Sequence, residues 1–402
     1  MEISIPGETV PTTVGLWPLL SYFLKLGTFG FGGPAALVGF MHRDLVEKRR
    51  WITEDTYKLS LALAQIMPGP LAAQTAIAIG YFEGGILGAT LVGLGFILPS
   101  FLMVVAISLA YVAYGGLWWM QALFYAIGAT VIAIIAIAAY KLARSTNKRN
   151  PLLWGIFACL TLVTVLAQTE LAEFFILAGL VVLIFQAWPG WKSGMPMVLG
   201  AVALGVAVGL MEAWLGHAST GGNSGNILTE ILLFFTKAGA FVFGSGLAII
   251  PFLHQGVVQQ FGWLNENQFL DAVAVAMITP GPVVITVAFI GFLVAGLAGA
   301  VMASIGIFLP VYVFTIVPAP WFKRHRDNPQ LKAFVDGATA AATGAITGAV
   351  IVLTTRAITD LPTTIIAVVS FGILWRYKIS EPLIVTISGL IGLVLWPLIT
   401  AG

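Results

Sequence analysis

Two lysines stand inside apolar stretches of this chain, each followed by a run that breaks a helix. Lys25 leads into Gly27-Thr-Phe-Gly-Phe-Gly-Gly-Pro34, and Lys237 into Gly239-Ala-Phe-Val-Phe-Gly-Ser-Gly246, at an offset of 212 residues. A charge at mid-membrane costs about 2.5–3.5 kcal/mol on insertion scales. A matched pair therefore calls for an anionic partner, or for snorkelling along the lysine stem to the interface. Gly32, Gly33 and Pro34 can start a half-helix, because glycine admits close backbone approach and proline suits a first helical turn. Gly69 with Pro70, Gly244-Ser245-Gly246, and Gly281 with Pro282 can do the same. A half-helix starting at mid-membrane aims free N–H groups and a positive dipole end at its neighbourhood, which suits an anion. Gln74 and Thr286 supply polar groups beside the breaks, as do Thr28, Gln65, Thr75, Thr236 and Thr279. Two lysines balance a dianion. The competing reading is that the breaks are kinks held by packing and that each polar side chain is a helix–helix hydrogen bond.

The elements carrying these residues are read from composition. Of 402 residues, 59% are hydrophobic and 9% charged, with mean hydropathy +0.99. Soluble domains carry about 25% charged residues, so most of this chain's surroundings must be lipid. No basic run large enough for nucleic acid occurs. Cys159 is alone, which leaves no disulfide framework and no cysteine metal site. Glu83, Glu170, Glu173, Glu212, Glu230, Asp271 and Asp336 lie near segment ends or loops, which argues against a carboxylate proton relay. The glycine-rich run Gly337–Gly348 lacks a Gly-Lys-Ser/Thr ending and reads as close helix packing. No hydrolytic site is visible, so neither an enzyme nor a cofactor or metal is expected. Met1-Glu-Ile-Ser-Ile-Pro6 lacks a basic n-region, against a cleaved signal peptide.

About thirteen apolar segments follow one another, each near the roughly 20 residues that span a bilayer. The expected fold is an all-α polytopic membrane protein with Gly/Pro-broken helices. The 212-residue offset also pairs His42 with His254, Trp51 with Trp263, Glu54 with Glu266, and Pro68-Gly-Pro70 with Pro280-Gly-Pro282. At 211 it continues through Gly80 with Gly291, Gly88 with Gly299 and Pro99 with Pro310. Such a duplication is a transporter signature. It divides the chain into an N-terminal repeat (1–216), a polar linker (217–226) and a C-terminal repeat (227–402). The loop 114–119 is uncharged, whereas its counterpart 318–332 is basic, and the Lys/Arg excess marks cytoplasmic loops. The repeats are therefore expected in inverted orientation, with the N-terminus cytoplasmic and the C-terminus outside. If every segment spans, the basic stretch 42–58 falls outside, against that rule. If the first two segments of each repeat are re-entrant hairpins, every basic stretch falls inside. The matched histidines sit at segment ends and read as interfacial.

Phe29-Gly-Phe-Gly-Gly-Pro34, Met67-Pro-Gly-Pro70 and Thr279-Pro-Gly-Pro-Val-Val-Ile-Thr286 resemble the signature blocks of the chromate ion transporter (CHR) family, and the duplication and length are similar to its bidomain members. The resemblance implies a bacterial inner-membrane transporter that exports chromate and confers resistance. Related members are thought to handle sulfate, a near isostere. Gly246 stands where the first copy has Pro34, so the two half-sites need not be equivalent. The expected partners are chromate, with sulfate as the other candidate, and the lipid bilayer; an oligomer is open. Sulfate uptake, chromate/sulfate exchange and an anion channel are the alternative functions.

Overall fold

The computed structural model describes residues 14–31, 33–114, 118–167, 173–187, 226–241, 249–325, 328–358, 360–377 and 379–400. Among these residues the regular structure is all helical. The apolar segment expected at 197–215 and nearly all of the linker lie outside the described residues, as do Gly32, Gly244, Ser245 and Gly246.

Helix α1 (Leu16–Phe29) stops at Gly30, and α2 (Gly33–Met41) starts at a glycine with φ +74°. A π-helical turn, His42–Lys48, follows. The chain has by then turned back on α1: the Arg49 guanidinium lies 5.5 Å from the Tyr22 ring centre, and Leu37 lies against Gly30. Helix α3 (Glu54–Ile66) begins under a Thr53 cap, whose hydroxyl accepts the Thr56 N–H at 3.0 Å. Glu54 and Asp55 in its first turn complement the helix dipole. It ends where Met67-Pro-Gly-Pro70 removes two backbone donors.

Helix α4 (Leu71–Tyr114) is not one rod. Gly84 (φ −143°, ψ 21°) and Gly85 (φ 60°, ψ −151°) leave helical geometry. A β-carbon at Gly80 would lie 2.5 Å from the Gly88 carbonyl oxygen, and one at Gly93 would lie 3.2 Å from Ile77. In a straight helix residues eight apart are about 12 Å apart. The limbs 71–83 and 86–114 therefore fold back on each other, with glycine backbones in contact. Helix α1 lies along the longer limb: Leu16 touches Gly84 and Gly88, Leu20 touches Gly95, and Gly27 presses on the Phe96 carbonyl.

After α5 (Trp118–Asn147), α6 (Pro151–Ala167) and α7 (Glu173–Gln186), the same conformations recur. They are α8 (Ile227–Phe241), α9 (Ile250–His254), a π-helical turn Gln255–Gln260, and α10 (Glu266–Ile278). The Thr279–Pro282 break and a 3-10 turn, Val283–Ile285, lead into α11 (Thr286–Ile316). This helix folds at Ala295 (φ −143°, ψ 30°) and Gly296 (φ 61°, ψ −152°), nearly the angles of Gly84 and Gly85. Both histidines are more than interfacial residues. His42 meets Glu54 at 2.8 Å and His254 meets Glu266 at 2.7 Å, pinning each returning π-turn to the start of the next helix.

The remaining helices are α12 (Ala319–His325), α13 (Pro329–Ala357), α14 (Leu361–Arg376) and α15 (Glu381–Thr400). The glycine run of α13 is close packing: Gly337 faces the Ala178 carbonyl and Gly348 the Thr161 carbonyl, on α7 and α6. Thr130 of α5 binds Ser388 at 2.6 Å and Ser370 at 3.1 Å, joining α15 and α14. Among the described residues four helices could cross a membrane by length and composition, α4, α5 and α13 among them, together with α11 as part of a longer helical run. Leu94, Leu98, Leu102 and Leu109 form an exposed apolar stripe on α4, and Leu297, Val301, Ile305 and Leu309 form one on α11. Contiguous exposed apolar stripes of this size suit a lipid surround. The chain is thus an all-α, multi-pass membrane protein.

Candidate functional site

The breaks of the two copies meet. The Gly281 N–H donates to the Gly30 carbonyl at 3.0 Å, tying the second Pro-Gly-Pro turn to the end of α1. Ser100, in the middle of the 86–114 limb, donates its hydroxyl to the Gly27 carbonyl at 3.3 Å. Gly281 has φ +98°, and a β-carbon there would collide with Ser100 Oγ and lie 3.5 Å from the Gly27 carbonyl oxygen. Glycine is required at 281 both for its backbone angle and for space. Ser100 was not apparent from the sequence, where one serine in an apolar run carries no signal.

The first Pro-Gly-Pro turn is braced from within. Gly69 takes φ +144°, and Gln74 folds over it to donate Nε2 to the Pro68 carbonyl at 2.6 Å. Gln74 Oε1 is buried with no hydrogen-bond partner among the described residues. Because the amide's bonded donor is committed to Pro68, Gln74 holds the turn's shape, and its free oxygen suits a donor such as water or an ammonium. The Pro70 carbonyl accepts the Gln74 N–H at 3.0 Å, which starts the 71–83 limb and leaves its first-turn amides without helical acceptors. In the second copy, Pro282 precedes the 3-10 turn, and Thr286 Oγ1 donates to the Val283 carbonyl at 2.8 Å. Thr286, like Gln74, shapes its break.

At the α2 N-terminus, a β-carbon on Gly33 would lie 3.6 and 3.7 Å from the two carboxyl oxygens of Glu381, the first residue of α15. A carboxyl side chain therefore stands beside the Gly33-Pro34 turn. Sequence reasoning missed Glu381, because only the tertiary fold brings the last helix to this turn. Lys25 lies on an exposed face of α1, whereas Lys237 is partly buried on α8 and is engaged with neighbours. The structure thus brings Gly30, Gly281 and Ser100 together and organises Gly69, Pro70 and Gln74 as a second turn. The Gly281 N–H, the Ser100 hydroxyl and the Gln74 amide nitrogen are committed to carbonyls, and the first-turn amides after Pro70 are left without helical acceptors.

A family model described as Chromate transporter matches residues 17–210 and 229–393. The chain is 55% identical to the chromate transport protein of Cupriavidus metallidurans, over 98% of this chain and 96% of that protein. It is 52% identical to the probable chromate transport protein of Synechococcus elongatus, over 94% and 95% of the two chains. Against the chromate transport protein of Pseudomonas aeruginosa the identity is 31%, over 97% and 95%. No solved structure matches the chain.

Proposed function

The chain belongs to the chromate transporter family, and from that premise we propose that it exports chromate from the bacterial cytoplasm, driven by the membrane potential. The observation that carries the reading is the meeting of two helix breaks, one from each copy, through the Gly281–Gly30 hydrogen bond beside Ser100. Broken backbone is tolerated at membrane depth where it is buried in protein or lines a cavity, and half-helix starts favour an anion there. In this proposal Gly32, Gly33, Pro34, Gly69, Pro70, Gly244, Ser245, Gly246, Gly281 and Pro282 form the backbone cradle. Lys25 and Lys237 supply balancing charge, and Gln74 and Thr286 hold the turns.

The repeats, 1–216 and 227–402 with the linker 217–226 between them, are taken to be inverted. Supporting this, Thr90 near the start of the 86–114 limb meets Tyr312 near the end of α11 at 2.6 Å, and Tyr111 near the end of that limb meets Phe289 near the start of α11. The return of Arg49 to Tyr22 supports re-entrant hairpins, which place 42–58 on the cytoplasmic side with the N-terminus. The C-terminus is then outside. Export fits the energetics: with the inside negative, a departing dianion gains 2 × 2.3, about 4.6 kcal/mol, per 100 mV.

Chromate counterflow in liposomes containing the purified protein tests the substrate. Saturable counterflow that excess sulfate inhibits only weakly supports chromate carriage. Equal inhibition by sulfate would favour a general oxyanion exchanger, and non-saturating flux would favour a channel.

A further inference from the structure

Asp271 sits inside α10 (Glu266–Ile278), in its second turn, and accepts a hydrogen bond from Tyr111 Oη at 2.6 Å. The two residues come from different repeats, so this bond joins them. The Tyr111 ring is wedged edge-on against Phe124 and Phe289, at 5.6 and 5.1 Å. The residues after Asp271, Ala272 to Met277, are all buried. The repeat supplies an internal control. At offset 212 Asp271 corresponds to Leu59, and at offset 211 Tyr111 corresponds to Phe322. Leu59 and Phe322 lie together in one buried apolar cluster, so the equivalent junction is filled by hydrocarbon alone. Packing the junction does not require an ionisable pair, yet one junction has it and the other does not.

Several titratable groups on the helices packed against α10 have partners of their own, Tyr312 on α11 with Thr90 among them, and Tyr81, Glu83 and Tyr114 on α4 make no hydrogen bond to Asp271. Tyr125 on α5 bonds Asp360, and Arg144 on α5 bonds Tyr140. Lys141 acts on Glu381, which stands at Gly33, and Lys332 acts on Asp336. Among the described residues Tyr111 is the titratable group that faces Asp271. A carboxylate in a membrane segment that has, among the described residues, one neutral donor and no cation as partner is costly to keep unless it works. Asp271 is eight residues, about 12 Å, from the break at Thr279, near the anion cradle but outside it.

We propose that Asp271 is the proton-carrying residue of the transport cycle. It rests on the export reading and adds a coupled ion to it. In the proposed topology the Tyr111–Asp271 junction faces outside. The ionised carboxylate holds Tyr111 by a charge-assisted bond. Uptake of one proton from the outer phase converts it to the neutral acid and loosens this tie as chromate departs. Loss of that proton to the inner phase restores the carboxylate and the bond.

The full-length protein in liposomes, at zero potential clamped with potassium and valinomycin, tests this. One proton exchanged per chromate shifts the steady chromate ratio about tenfold per pH unit of imposed gradient. The wild type is expected to show that shift. Asp271→Asn is expected to lose it while keeping chromate counterflow. If Asp271→Asn also loses counterflow, Asp271→Glu decides: a restored shift supports the role, and none overturns it. A shift retained by Asp271→Asn, or absent from a wild type with normal counterflow, overturns the proposal and leaves the export reading standing. A wild type without counterflow sinks the export reading itself.

Discussion

Gly281→Ala perturbs the point where the two breaks touch. The new methyl group would meet Ser100 Oγ, with Ser100 Cβ behind it at 3.1 Å. Rotating the serine hydroxyl away gives up its bond to the Gly27 carbonyl, about 0.5–1.5 kcal/mol. Alanine at φ +98° adds about 1–3 kcal/mol of backbone strain. Together these disfavour the joined conformation by about 2–4 kcal/mol, or roughly 30- to 700-fold at tenfold per 1.4 kcal/mol. Chromate counterflow in liposomes reads the loss, and thermal unfolding of the detergent-solubilised protein separates it from misfolding. Ser100→Ala alone gives up the same hydrogen bond without the backbone strain, so its loss should be only about 2- to 10-fold. Wild-type counterflow in Gly281→Ala alone would refute the reasoning. So would a loss in Ser100→Ala as large as that in Gly281→Ala, because the strain at position 281 would then be irrelevant.

Lys25→Ala and Lys237→Ala are each expected to reduce transport strongly at normal expression, measured as chromate counterflow; full activity in both would assign these lysines to snorkelling or packing. A β-carbon at Gly88 meets the Gly80 backbone, whereas one at Gly39 meets nothing. Gly88→Ala should therefore destabilise by about 1–3 kcal/mol through overpacking, while Gly39→Ala, in the interior of α2, should be neutral or stabilising by up to about 1 kcal/mol. Thermal unfolding of the pair reads the difference, and equal midpoints would contradict the folded-back geometry of α4. A cysteine at Arg49 should react with membrane-impermeant reagents only from the cytoplasmic face, and labelling in intact cells would exclude the hairpins.

Much of the fold was legible because its punctuation is chemical. Pro68-Gly-Pro70 and Pro280-Gly-Pro282 cannot continue a helix, and the structure breaks at both. Gly80 and Gly88, matched by Gly291 and Gly299, were legible as part of the repeat, and they bracket the reversals at Gly84–Gly85 and Ala295–Gly296. The glycines at 337, 344 and 348 are spaced for helix contact and make it. The site was less legible. The twelve-residue spacing of His42 and Glu54, repeated in His254 and Glu266, was visible as a match, but nothing local announces that each returning segment swings its histidine onto the glutamate. Ser100, Glu381 and the Tyr111–Asp271 bond depend on contacts between residues far apart in sequence, 160 apart in the last case. Neither helical periodicity nor composition encodes such contacts. Asp271 could have been singled out by aligning the two copies, since it replaces a leucine at an otherwise matched position.

The most direct test of export driven by potential is uptake of labelled chromate by everted membrane vesicles, in which the cytoplasmic face is outside. With an imposed interior-positive potential the vesicles should accumulate chromate, up to the equivalent of about 4.6 kcal/mol per 100 mV for a dianion moving alone. Collapsing the potential should abolish the accumulation. Uptake of the same extent with and without the potential would contradict the account.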